Sequence, residues 1–213
     1  MRFSFPKIYP ILDSSFIPAK GREDYLSALG ASLAGAGVTL LEYRNKTGSD
    51  AEIVADADAL RKSMPASQVK LILDDRADLV DDVDFDGVHV DAGDLTPAEA
   101  RRIVGVDKIV GTFGGSETLL PEILRQPADY FAIGPVFETR TKHTENRPIG
   151  IGGVQRLRQQ AGANAILSAA AGITFETARP VLEAGATMVA VAEAIFRVSD
   201  PAAEFARWKK ALG

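Results

Sequence analysis

The stretch Lys70-Leu71-Ile72-Leu73-Asp74-Asp75-Arg76 has the pattern that decides the fold. Its apolar residues follow one another without an intervening polar residue, which is typical of a β-strand covered on both faces. Charged residues follow directly, where such a strand would reach the surface of the protein. The pattern therefore indicates a strand of a buried parallel sheet rather than a half-exposed antiparallel one.

On both sides of this stretch, similar apolar runs recur along the chain and alternate with amphipathic helical patterns. The predicted strands are Lys7–Asp13, Thr39–Arg44, Lys70–Asp75, Gly87–Val90, Lys108–Thr112, Tyr130–Phe137, Ala165–Ala170 and Thr187–Val191. The predicted helices are Glu23–Ala36, Asp50–Met64, Thr96–Val104, Ser116–Arg125, Gly153–Gln160, Phe175–Ala184 and Pro201–Leu212, with a short segment at Ala77–Val80. Eight strands, each followed by a helix or a short helical segment, predict an α/β fold: a single-domain (β/α)8 TIM barrel over residues 1–213.

Composition and charge exclude several classes of protein. The chain has 213 residues, 46% hydrophobic residues and a net charge of −5, which is ordinary for a soluble globular protein. It contains no cysteine, so disulfides, thiolate metal sites and cysteine nucleophiles are excluded. There is no basic stripe for nucleic acid and no apolar run of membrane-spanning length. Met1–Pro10 lacks the apolar core of a signal peptide, so we expect a cytoplasmic protein.

Charged residues cluster at the predicted C-terminal ends of the strands, where the catalytic groups of such barrels lie. A diphosphate could be surrounded by the basic and hydroxyl side chains of this region, namely Arg44, Lys46, Lys142, Thr139 and Thr141. Asp75 and Asp94 follow neighbouring strands and could bind Mg²⁺, which favours one or two carboxylates together with phosphate oxygens. The alternative is that these charges are solvated or paired with one another in a structural network.

Five stretches resemble thiamine phosphate synthase and the related TenI-like thiazole tautomerase group. They are Thr39–Lys46, Leu71–Leu79, Asp86–Val90, Gly134–Phe137 with Thr139-x-Thr141-Lys142, and Ala171–Ile173. The resemblance extends over nearly the whole chain. It implies that a hydroxymethylpyrimidine diphosphate loses pyrophosphate and that the nitrogen of a thiazole phosphate attacks the methylene carbon. It also implies dissociative chemistry without a protein nucleophile, so positioning and stabilisation of the leaving group would carry most of the catalysis.

The resemblance assigns roles position by position. Arg44, Lys46 and Lys142 match diphosphate contacts, and Asp75 and Asp94 match magnesium ligands. The remaining matches are Thr139 and Thr141 near the phosphates, Gly172 as a backbone phosphate contact, and His89 on the pyrimidine side. Taken alone, a single histidine on a strand is more typical of a structural role than of a general base. Family members are often oligomeric, so a homo-oligomer is expected by analogy.

Several positions depart from the family pattern. Glu42 stands where the family has Gln, Asp74 where it has Asn, and Glu193 where it has a phosphate-binding Ser. Asp91-Ala92 replaces Gly-Gln, and Phe113 and Gly115 replace a Ser and a His. The diphosphate and metal half is thus retained, whereas the half that would select the thiazole is altered. Two alternatives therefore stay open: an enzyme of this scaffold acting on a different phosphorylated ligand, and a non-catalytic ligand-binding barrel.

Overall fold

A computed structural model describes residues 3–91, 93–115, 119–138 and 147–213. Eight parallel strands form a closed barrel, and each strand pairs with the next one in the chain until β8 pairs with β1. The strands are β1 Ile8–Asp13, β2 Leu40–Arg44, β3 Lys70–Asp74, β4 Gly87–Val90, β5 Ile109–Gly115, β6 Tyr130–Ile133, β7 Leu167–Ala170 and β8 Met188–Val191. The predicted single-domain TIM barrel is confirmed.

Helices surround the barrel. They are α1 Arg22–Ala36, α2 Asp50–Ser63, α3 Pro97–Val104, α4 Leu120–Ile123, α5 Gly150–Ala161, α6 Phe175–Glu183, α7 Glu193–Phe196 and α8 Pro201–Leu212. A 3-10 turn at Ala77–Leu79 replaces a helix between β3 and β4, and a second one, Ser14–Phe16, follows β1. Within the described ranges, no helix combines the length and the apolar character that crossing a membrane requires.

Local sequence signals set the helix boundaries. Thr96 and Glu99 form a reciprocal capping box at the start of α3, with Pro97 at the first helical position. The Ser49 side chain accepts a hydrogen bond from the Glu52 backbone N–H and so caps α2. Gly37 ends α1 in the left-handed conformation, with φ of 86°. These signals set where three of the helices begin or end, and the parallel direction of the strands places all their C-terminal ends at one rim.

The barrel interior changes character along its axis. At the N-terminal end it is filled by apolar and aromatic side chains, including Leu40, Ile72, Met188 and the ring of Phe5. A second apolar layer lies between the strands and the helices. Towards the C-terminal rim the inward positions become polar, and the buried polar residues include Asp13, Glu42, Asp74 and His89. Since fully buried charges are costly unless they are paired, this end of the barrel is the candidate site.

Four segments differ from the predicted elements. β6 ends at Ile133 rather than at Phe137, because Pro135 has no N–H with which to extend the sheet. β5 continues to Gly115, with a shift in register between Phe113 and Gly115. The predicted helix at Ser116–Arg125 begins outside the described residues, and its described part contains only the short α4. The first turn after β8, α7, has no counterpart among the predicted helices.

Candidate active site at the barrel mouth

Three carboxylates meet where β3 and β4 end. One oxygen from each of Asp74, Asp75 and Asp91 lies within 4.8 Å of the others. The Asp91 backbone N–H donates to Asp75 Oδ1 at 3.2 Å, and Asp75 adopts a left-handed conformation with φ of 62°. The turn after β3 therefore directs the Asp75 side chain towards β4. Asp94, which is exposed, is not a member of this group of three, so its role as a metal ligand stays a prediction.

The Lys46 ammonium lies among these acids. Its Nζ is 2.9 Å from Asp74 Oδ2, forms an ion pair with Asp75 and is 3.9 Å from Asp91 Oδ2. The contact with Asp74 is an ion pair rather than a hydrogen bond, because Asp74 Oδ2 is buried with no hydrogen-bond partner among the described residues. One ammonium thus occupies the position among the three carboxylates that a small hard cation would fit.

Arg44, at the end of β2, is held beside the acidic group. It forms a hydrogen-bonded ion pair with Asp13 of β1, and its Nε is 3.6 Å from Asp74 Oδ2. The register explains the first contact, because Asp13 is the direct neighbour of Arg44 across the β1–β2 pair. Burial lowers the pKa of Arg44, but Asp74 and Asp13 raise it by more, so the guanidinium stays charged.

A hydrogen-bonded network lies beneath the mouth, inside the barrel. The Tyr9 hydroxyl donates to Glu42 Oε2 at 2.7 Å and lies 2.8 Å from the Tyr130 hydroxyl. Tyr130 in turn shares a 3.1 Å hydrogen bond with His89 Nδ1. Gly111 makes room for this arrangement, since a Cβ there would lie 2.0 Å from Tyr130 Cζ. Four strands thus contribute side chains to one polar floor, on which a ligand in the mouth would rest.

The network binds protons more tightly than its residue types do in water. Burial raises the pKa of Glu42 to about 7, and Asp74 adds to the effect while His89 opposes it. Burial lowers the pKa of His89, but the hydrogen bond to Asp91 and the charge of Glu42 raise it by more, and the net direction is upward. Near neutral pH, Glu42 therefore divides between a neutral acid, which can donate a hydrogen bond, and a carboxylate, which cannot.

A cleft of about 580 Å³ opens beside this floor, on the side of β7 and β8. Its lining includes Gly172, whose φ is 66° and whose added Cβ would lie 2.4 Å from the Glu138 backbone oxygen. Only glycine suits that position, because the conformation and the close approach both exclude a side chain. Glu193 also lines the cleft and forms an ion pair with Arg197 one helical turn later.

The predicted site residues other than Asp94 fall into three groups. The structure brings Arg44, Lys46, Asp74 and Asp75 together, with Glu42 and His89 beneath them. Gly172 and Glu193 line the adjoining cleft. The three remaining predicted phosphate contacts, Thr139, Thr141 and Lys142, lie outside the described residues.

Sequence reasoning missed five residues of this region: Tyr9, Asp13, Asp91, Tyr130 and Arg197. Alternation along β1 carried a usable signal, because Tyr9, Ile11 and Asp13 share one face of the strand. Asp91 was noted only as a departure from the family pattern. Tyr130 and Arg197 carried no local signal, since their neighbours are set by the closure of the barrel and by an unpredicted turn.

Comparison with known proteins identifies relatives over most of the chain. The family model described as thiamine monophosphate synthase (TMP-TENI) matches residues 8–195. A thiamine-phosphate synthase of Koribacter versatilis is 38% identical over 186 residues, covering 87% of each chain. A thiamine-phosphate synthase of Agrobacterium fabrum is 37% identical over 188 residues, covering 87% of this chain and 84% of the relative.

Solved structures show the same similarity. The thiamine phosphate pyrophosphorylase of Pyrococcus furiosus superimposes with a TM-score of 0.82 at 26% identity, covering 97% of this chain and 95% of that one. A 3-hexulose-6-phosphate synthase gives a TM-score of 0.66 at 18% identity, which shows a shared fold alone.

Proposed function

The chain belongs to the thiamine monophosphate synthase family and is an enzyme of that transferase type, and from this we propose its reaction. It joins a hydroxymethylpyrimidine diphosphate to a thiazole phosphate and releases pyrophosphate. The observation that carries the proposal is the placement of Arg44 and Lys46 beside three converging carboxylates at the barrel mouth. Cations and acids together suit a diphosphate that arrives with a divalent metal ion.

The acidic group fits Mg²⁺ by its chemistry. All of its ligand atoms are carboxylate oxygens, and one of them, Asp74 Oδ2, is buried with no hydrogen-bond partner in the described part of the chain. Asp75, Asp74 and Asp91 would hold the ion, with Asp94 predicted to reach it from the following loop. When bound, Mg²⁺ would supply positive charge to the departing pyrophosphate. The Lys46 ammonium, 33% exposed, offsets part of the negative charge of the acids in the free protein and can turn to an anionic substrate.

The reaction makes one demand on the protein: the charge that develops on the leaving group must be stabilised. The bond between the methylene carbon and the diphosphate oxygen breaks, and its electron pair leaves with pyrophosphate. Arg44 and Lys46, with Lys142 as the predicted third cation, stabilise that charge by hydrogen bonds and proximity. The ring nitrogen of the thiazole then forms the new carbon–nitrogen bond, so no protein nucleophile takes part.

The polar floor suits the pyrimidine ring. Glu42 is only 3% exposed and is fixed by Tyr9, so it presents a rigid hydrogen-bonding group beneath the mouth. In its neutral form a carboxylic acid both donates and accepts, which matches the adjacent amino group and ring nitrogen of an aminopyrimidine. His89 lies on the same floor through Tyr130. We therefore place the pyrimidine above Glu42 and the thiazole phosphate in the cleft by Gly172.

Direct turnover tests this reaction. Purified protein with both precursors and Mg²⁺ is expected to release pyrophosphate only when both substrates are present. A Lys142→Ala variant is the control, since it removes one predicted cation. Release that does not exceed that of the variant would refute the proposal. A cytoplasmic location and a homo-oligomeric state stay predictions, which cell fractionation and light scattering would check.

A further inference from the structure

We propose that Arg197 binds the phosphate of the second substrate and so determines specificity on the β8 side of the cleft. This inference rests on the proposed synthase function. Arg197 directly follows the short α7 and lines the same cleft as Gly172 and Glu193. It lies outside the acidic group and outside every sequence-derived assignment.

The charges of the cleft explain why this arginine matters. Among the described lining residues the acids are Asp13, Glu138 and Glu193, and the basic residues are Arg44 and Arg197. Arg44 lies beside Asp74 at the acidic group, where it is assigned to the diphosphate rather than to the second substrate. An anion on the β8 side would therefore meet mainly negative charge, unless Arg197 receives it.

Arg197 is held in place by two contacts. Its Cζ lies 5.2 Å from the centroid of the Phe16 ring, a cation–π contact, and Phe16 stacks on Phe196 with an interplanar angle of 20°. Its Nε lies 3.1 Å from Oε1 of Glu193. Glu193 is therefore directed at Arg197, and the pair brings no net charge into the cleft.

The chemistry of the guanidinium matches a phosphate. A carboxylate at Nε leaves the terminal nitrogens to donate to further acceptors, and a planar guanidinium can donate two parallel hydrogen bonds to phosphate oxygens. With its side chain 61% exposed, the arginine is accessible to an incoming ligand. Glu193 is thus a positioning residue for Arg197, and the anion contacts the arginine.

Kinetics of an Arg197→Gln variant test the proposal. Loss of a charge-assisted hydrogen bond is expected to raise the KM for thiazole phosphate about tenfold or more, with kcat and the KM for the pyrimidine diphosphate changed less than about twofold. The matched control is Arg207→Gln. Arg207 also pairs with a glutamate, Glu204, and lies 3.6 Å from the ring centroid of Phe175, but on α8 and outside the cleft lining. The control should leave all three constants unchanged.

Binding measured by calorimetry separates this inference from the proposed function. Wild-type protein is expected to bind thiazole phosphate more tightly than the unphosphorylated thiazole alcohol, and Arg197→Gln should reduce that preference about tenfold. An unchanged preference or an unchanged KM in an active enzyme would overturn the role of Arg197 alone. A wild-type protein that binds both compounds equally would overturn it as well. If the wild-type protein showed no turnover but still preferred thiazole phosphate to the alcohol, and if that preference depended on Arg197, the synthase reaction would be refuted and the phosphate site supported.

Discussion

The two sides of the barrel mouth differ in how firmly their charges are held. On the side of β2 to β4, the acidic side chains are nearly buried, with Asp74 2% and Asp75 15% exposed. On the side of β8 and α7, the Glu193 and Arg197 side chains are 40% and 61% exposed. The first side is a network crossing several strands, whereas the second is a single pair within one helical turn.

This difference indicates where the chemistry is fixed and where specificity can change. Packing three carboxylates together costs folding free energy, and such an arrangement is retained where it is needed for function. An exposed pair within a turn contributes little to stability, so its residues can be exchanged with little effect on folding. Glu193 is the departure from the family pattern on this exposed side, whereas the departures at Glu42 and Asp74 lie among the buried groups.

Substitution in the buried acidic group should have the largest effect. We expect Asp75→Asn to lower turnover at least ~100-fold, because one charge of the proposed metal site disappears. Asparagine is the suitable replacement, since it tolerates the left-handed backbone at this position and still offers an acceptor to the Asp91 N–H. The measurement is the rate of pyrophosphate release at increasing Mg²⁺.

The control for that experiment is Asp78→Asn in the neighbouring turn. Asp78 pairs with Arg76, and its side chain is 58% exposed. Its replacement should change the rate less than about twofold, because an exposed ion pair contributes little. If Asp75→Asn retained the wild-type rate and Mg²⁺ dependence, the acidic group would have no part in catalysis.

Substitution of Glu42, in the polar floor beneath both sides, should have a smaller effect. That effect is a change in how the free energy of unfolding depends on pH. Because the folded protein raises the pKa of Glu42 from 4.5 to about 7, this group stabilises the fold fully below pH 4.5. That contribution is lost as the pH rises through 7, and the raised pKa of His89 acts in the same direction. Relative to Glu42→Gln, wild-type protein should lose on the order of 3 kcal/mol of unfolding free energy between pH 5 and pH 8.

Denaturant unfolding at the two pH values measures that difference. Glu23→Gln is the control, since Glu23 is exposed in the first turn of α1 and should leave the pH dependence as in the wild type. A Glu42→Gln variant with the same pH dependence as the wild type would show that Glu42 is ionised in the folded protein throughout this range.

The fold was predictable from sequence because its signals are local. Continuous apolar runs marked all eight strands, and the helices predicted to start at Asp50 and Thr96 begin within one residue of those positions. The errors lie where longer-range geometry decides. β6 ends earlier than predicted, just before Gly134 and Pro135. β5 runs further than predicted, past the register shift at Phe113. The four-residue α7 is too short to show helical periodicity.

The site was predictable in part, for the same physical reason. Two adjacent strands end at or just before Arg44, Lys46, Asp74 and Asp75, so the order of strands alone brings these residues together. Tyr9 and Tyr130 are 121 positions apart in the chain and meet only because the barrel closes. The pairing of Asp91 with Asp75 depends on the conformation of a single turn, which no spacing rule conveys.

A crystal structure with Mg²⁺ and pyrophosphate tests most directly whether the two sides of the mouth bind different groups. We predict that pyrophosphate contacts Arg44 and Lys46, and that Mg²⁺ binds beside it at Asp75 and the neighbouring acids. Lys46 should then have left its ion pair with Asp75. Pyrophosphate bound only at Arg197, with Lys46 still among the three carboxylates, would refute the proposed roles of the two sides of the mouth.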